Sequence, residues 1–128
     1  MDRALMGKFG EDRICNYLIR KGYTITCRNY FSRFGEVDII AENNDVITFV
    51  EVKTRTTNCM VTGIEAVTKS KQKKIIKTAQ DYLIKHSCGK QPRFDIAQVE
   101  IKLEEDRKLC RIQYIDNAFD ASNIFSIL

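Results

Sequence analysis

With 128 residues, 44% of them hydrophobic, the chain is long enough for one core and too short for two, so we read residues 1–128 as a single domain. No apolar stretch approaches the length that spans a bilayer, and Met1 to Lys8 lacks the apolar segment of a signal peptide, so a cytoplasmic location is expected. Five cysteines (Cys15, Cys27, Cys59, Cys88, Cys110) are scattered singly with only His86 to assist, which argues against a zinc site and against a disulfide framework. The net charge of +4 is unevenly spread: Lys69 to Arg93 holds eight basic residues and one acid, Asp81.

Taken in chain order, Glu11, Ile14, Cys15 and Leu18 recur at helical spacing, which predicts a first helix with Glu11 on its inward stripe and Gly22 as its terminating glycine. An inward acid there either meets free backbone amides or reaches a functional centre. Tyr23 to Tyr30 alternates as a strand, and Phe31 to Gly35 turns into a second strand, Gly35-Glu36-Val37-Asp38-Ile39-Ile40. Asn43-Asn44-Asp45 is a turn cluster, followed by the apolar run Val46 to Val50 and then Glu51-Val52-Lys53, so the two strands form an antiparallel hairpin. Arg55 to Thr62 is polar and aperiodic, and is expected as a loop. A second helix begins near Thr68, with Ile75, Ile76, Ala79, Tyr82 and Leu83 as its core stripe and Lys73, Lys74 and Lys77 facing solvent. Lys71, at the edge of that stripe, should lie nearer the end of the hairpin than its neighbours. Arg93 to Ile101 and Leu109 to Ile115 alternate around a charged turn at Glu104 to Arg107, a second hairpin at the sheet edge. The order predicts an α/β fold with a mixed central sheet flanked by helices.

Chemistry concentrates in the first hairpin. Alternation places Glu51 and Lys53 on one face about 6.6 Å apart, and Glu36 with Asp38 likewise on theirs. Charge at the end of a core strand is costly unless paired or bound to metal. Two or three carboxylates with a lysine suit Mg²⁺, with Mn²⁺ as a substitute, Asp38 and Glu51 being the ligands and Lys53 a partner for attacking water or transition state. An exposed Glu-x-Lys pair of little energetic weight is the plainer account of the triplet. The basic helix face is either a track for nucleic-acid phosphates or a solubilising surface.

Asp38 with Glu51-Val52-Lys53 resembles the PD-(D/E)xK nuclease core. Gly7-Lys8-Phe9-Gly10-Glu11, Lys21-Gly22-Tyr23, Arg28-Asn29-Tyr30, Glu65-Ala66-Val67, Lys71-Gln72 and Arg93-Phe94-Asp95 surround it in order. Together these resemble the YraN-like family of small bacterial proteins, over nearly the whole chain. The resemblance implies a restriction-endonuclease-like αβββαβ core, related to archaeal Holliday junction resolvases, and a nuclease activity. It also implies that Glu11 and Glu36 support the catalytic set of Asp38, Glu51 and Lys53, with Glu65 near by. Lys71, Lys73, Lys74, Lys77, Arg55 and Arg28 are the candidate nucleic-acid ligands, with DNA favoured over RNA, and the resolvase relation allows a homodimer. The expectation is a Mg²⁺-dependent endonuclease, with a catalytically silent nucleic-acid-binding module as the alternative.

Overall fold

The computed structural model describes residues 2–56 and 67–121, with elements α1 (Arg3–Arg20), β1 (Thr24–Ser32), β2 (Gly35–Glu42), β3 (Val46–Thr56), α2 (Lys69–Lys85), β4 (Gln91–Glu104) and β5 (Arg107–Phe119). The strands lie side by side in sequence order, all antiparallel to their neighbours except β3 and β4. Parallel strands need a crossover, and α2 supplies it. The expected mixed sheet flanked by helices is therefore observed.

Each helix is bounded by side-chain chemistry. The Asp2 carboxylate accepts the Leu5 amide at 2.8 Å to cap α1, and Thr68 Oγ1 accepts the Lys71 amide at 3.2 Å to cap α2. Gly22, at φ +94°, closes α1 by donating to the Ile19 carbonyl while Tyr23 donates to that of Leu18, the paired bonds of a Schellman end.

Two apolar layers sandwich the sheet. On one face Ile14, Cys15 and Leu18 of α1 pack on Ile39, Ala41, Val50, Ala97 and Val99. On the other Ile75, Ile76, Ala79 and Tyr82 of α2 pack on Val37, Ile40, Phe49, Phe94 and Ile96. Gly10 lets α1 approach β3 closely, since a Cβ there would overlap the Thr54 hydroxyl. The Asn43 turn is as expected: its Oδ1 accepts from the amides of Asp45 (2.9 Å) and Val46 (2.7 Å).

Three expectations need correction or limits. Arg55 and Thr56 are strand residues, because β3 stays paired with β4 through Arg55–Glu100 and Thr56–Ile101. The remainder of the expected loop, residues 57–62, and Glu65 lie outside the described residues. The strand expected over Tyr23 to Tyr30 runs on to Ser32, held by Phe31–Glu36 and Ser32–Gly35 pairing.

Candidate active site

Pairing between β2 and β3 covers only Glu42–Ile47 to Ile39–Val50, although β2 continues with β1 to Gly35 and β3 with β4 to Thr56. Just beyond that last pair the Val52 amide donates to Asp38 Oδ2 at 2.8 Å, so a side chain replaces the next rung of the ladder. On the opposite strand Asn29 adopts φ +53°, a left-handed conformation that asparagine tolerates better than most residues. Strict alternation breaks there: Cys27 and Tyr30 both pack against the α2-side core, as do Val37 and Ile40 across from them. Asp38 sits at this distortion, where the sheet stops behaving as a flat ladder.

The acids gather at this point. Glu51 is 4% exposed. Its carboxyl is pushed up to about 8, first by burial and then by the neighbouring Asp38 carboxylate. Glu36 is raised for the same two reasons in the same order. Glu11 is raised by burial and by Asp38, against the lowering influence of Arg28. Burial and mutual repulsion both oppose ionisation of these acids, so the pocket disfavours their charged forms. Two ammonium groups stand over Glu51 Oε2, Lys71 Nζ at 3.7 Å and Lys53 Nζ at 4.0 Å, both beyond ideal hydrogen-bond length.

Thus α1, β2, β3 and α2 each contribute, and the expected set Glu11, Glu36, Asp38, Glu51 and Lys53 converges with Lys71. The plainer account of Glu51 and Lys53 as an exposed pair does not survive the burial of Glu51. Arg28 is committed elsewhere: Nη1 lies 2.8 Å from Asp12 and Nη2 3.4 Å from Glu11, so it orients the Glu11 carboxylate and ties β1 to α1. Lys73, Lys74 and Lys77 are exposed on α2 as expected, and Arg55 is half-buried with its Nε lacking a hydrogen-bond partner.

Among the described residues no three acid, histidine or cysteine side chains form a preformed metal cage. The donor set still suits a hard divalent ion, since Mg²⁺ commonly takes one or two carboxylates and completes its shell with water and substrate oxygens. A cation beside Asp38 and Glu51 would offset the repulsion that raises Glu51.

A second buried acid lies on β4. Asp95, fully buried, accepts from Thr48 Oγ1 (2.6 Å), Arg93 Nε (2.9 Å) and Nη2 (2.7 Å), Tyr114 Oη (2.6 Å) and the Asn117 amide (2.9 Å). Arg93 is raised chiefly by its bonds to Asp95, and Tyr114 chiefly by burial and then by the Asp95 charge. This lock joins β3, β4 and β5, so Asp95 holds Arg93 and the sheet. The signal in the sequence was Thr48 inside an otherwise apolar strand. Asn29 and Asn117, both left-handed, were legible only as residues that tolerate that conformation. His86 caps α2 and stacks on Tyr82 with ring centroids 4.6 Å apart, an ordinary boundary role. No helix among the described residues is long and apolar enough to cross a membrane.

Fold and site together define a mixed α/β protein with a carboxylate–lysine centre where its sheet splits. The model of the uncharacterised protein family UPF0102 matches residues 10–99. UPF0102 proteins of Sulfurihydrogenibium sp. (strain YO3AOP1) and Persephonella marina are 42% and 44% identical, over 93% and 91% of this chain and 97% and 94% of theirs. That of Clostridioides difficile is 42% identical over 93% of this chain and all of its own. The chain belongs to the UPF0102 family, the YraN-like group that its motifs resemble.

Proposed function

We propose that the protein is a Mg²⁺-dependent phosphodiesterase of the PD-(D/E)xK type, acting on DNA. The observation that carries this reading is Glu51: a nearly fully buried carboxyl, raised by the neighbouring Asp38 and overhung by Lys53 and Lys71. A structural acid would gain nothing from such an arrangement, because an apolar residue of similar volume is usually at least as stable. Asp38 and Glu51 would hold the cation, with Mn²⁺ able to substitute, and a bound cation would supply an acidified water and a counter-charge for the leaving oxygen. Asp38 is aimed by the Val52 amide, and Glu11 by Arg28. Lys53 is placed to orient water or offset charge on the phosphoryl oxygens. Lys71 sits on the first turn of α2, from which Lys73, Lys74 and Lys77 extend a cationic surface for backbone phosphates. The reading fits a restriction-endonuclease-like fold and a cytoplasmic setting, in which the unbridged Cys15, Cys27, Cys88 and Cys110 stay reduced.

A second reading, a nucleic-acid-binding module without turnover, draws on Lys53 and Lys71. Two ammonium groups within 4.0 Å of Glu51 can offset its charge with no cation present. The readings separate on a labelled panel of junction, flap, single-strand, duplex and RNA substrates, incubated with Mg²⁺, Mn²⁺ or EDTA. Cleavage that needs metal and is lost in Lys53→Ala supports the nuclease; binding without cleavage under all conditions supports the silent module.

A further inference from the structure

Phe31 is 69% exposed, the one aromatic among the large exposed apolar side chains of the described residues. A lone exposed apolar residue needs no explanation by itself, but the position of this one is informative. Its cross-strand partner is Glu36. Directly opposed residues project to the same face with Cβ atoms about 5 Å apart, so the ring stands at the rim of the carboxylate cluster.

The support beneath it is rigid. Ser32 Oγ receives the Phe34 amide at 3.0 Å and lies 2.9 Å from the hydroxyl of Thr78, a fully buried residue of α2. Gly35 brings the turn against α2, where a Cβ would meet that of Lys74 at 3.5 Å. On the same turn Phe34 lies beneath two cations, Arg33 at 4.8 Å and Lys77 at 5.6 Å from its ring centroid. The exposed ring therefore stands on one face of this braced hairpin end, beside Glu36, and Phe34 with the lysines of α2 on the other. Aromatic faces interleaved with cations are how proteins hold unpaired nucleotides: cations track the phosphates and a ring takes a base by stacking.

We infer that Phe31 stacks an unpaired base of DNA adjoining the phosphate held at the Asp38–Glu51 centre. The preferred substrate class is then single-stranded, flapped or branched DNA over blunt duplex, because in a continuous duplex each base face is already stacked on its neighbour. This rests on the nuclease reading for the position of the phosphate, though stacking itself needs no turnover.

The test uses the full chain in EDTA with oligonucleotides carrying 2-aminopurine at successive positions, as single strand, flap and blunt duplex. The expected result is fluorescence quenching centred on one position of the single-stranded or flapped DNA. In Phe31→Ala that quenching should be lost and affinity reduced about five- to a hundredfold, while Phe31→Tyr retains both. Unchanged quenching and affinity in Phe31→Ala, tighter binding of blunt duplex, or no DNA binding by the wild type would each overturn the inference. Metal-dependent cleavage that persists unaltered in Phe31→Ala would leave the nuclease reading standing while removing this one. Phe31-dependent stacking without cleavage in Mg²⁺ or Mn²⁺ would do the reverse.

Discussion

Replacing Glu51 by glutamine should make the metal-free protein more stable while removing its cation site. The carboxyl titrates near 4.5 in an unfolded chain and is pushed up to about 8 when folded, so at pH 7 its ionisation works against folding by about 3 kcal/mol. The sign follows from the direction: a group raised on folding leaves stability intact below pH 4.5, and that stability is lost as pH rises toward 8. Lys53 and Lys71 already lower that value, and do so weakly, because both ion pairs are long and the lysines are 27% and 40% exposed. Glutamine keeps the size of the side chain without its charge, so the buried site stays filled. The gain is therefore about 3 kcal/mol at pH 7, or roughly 12 °C in melting temperature for a domain of this size, shrinking to about 1 kcal/mol at pH 5. Thermal melts in EDTA between pH 5 and pH 8 measure it directly. Saturating Mg²⁺ should then raise the wild type, by about 2.7 kcal/mol at a hundredfold excess over Kd, and leave Glu51→Gln unmoved. A variant that melts lower than wild type in EDTA at pH 7.5, or a difference that does not change with pH, would mean that Glu51 is not held above its ordinary range by burial.

Other parts of the structure yield further expectations. Asp38→Ala should abolish Mg²⁺ binding by calorimetry and, by leaving the Val52 amide unpaired, cost about 1–3 kcal/mol in urea denaturation. Gly10→Ala, which drives a methyl group into the stiff Thr54 side chain, should lower stability by about 1–3 kcal/mol in the same assay. Asp95→Ala removes the partner of the half-buried Arg93 guanidinium and leaves Thr48, Tyr114 and the Asn117 amide without their acceptor, and should cost about 3 kcal/mol, whereas Tyr114→Phe, removing one of five bonds, should cost about 1–2 kcal/mol. Replacing Lys73, Lys74 and Lys77 with glutamine should weaken DNA binding and reduce its salt slope by about 0.7–0.9 for each phosphate no longer neutralised, and an unchanged slope would make them surface residues only.

Much of this architecture is written in local pattern. The Thr68 cap, the Asn43 turn, the inward side of Glu11 and the convergence of Asp38, Glu51 and Lys53 all follow from spacing and residue chemistry that act within a few positions. Lys71 was placed by its offset from the apolar stripe of α2. What escaped are features decided by distant partners. Arg55 reads as loop because it is polar, yet β4 pairs with it and extends the strand. Arg28 reads as a free cation until the fold brings Asp12 and Glu11 to it. The break in alternation at Asn29 and Asp38 has no periodic signature, since both strands shift together and the register around them is preserved. Asp95 reads from its neighbours as a partner for Arg93 or a turn cap, and it does hold Arg93; its full network depends on Thr48 and Tyr114, from strands on either side.

The Val52 bond to Asp38 gives the protein a built-in spectroscopic probe. A main-chain proton that would ordinarily be silent inside a sheet is held by the carboxylate on which the chemistry is proposed to turn. Its amide resonance should report the electrostatic state of the centre directly, shifting with protonation or cation binding, so occupancy can be followed by one peak with no substrate and no label at the reacting atoms.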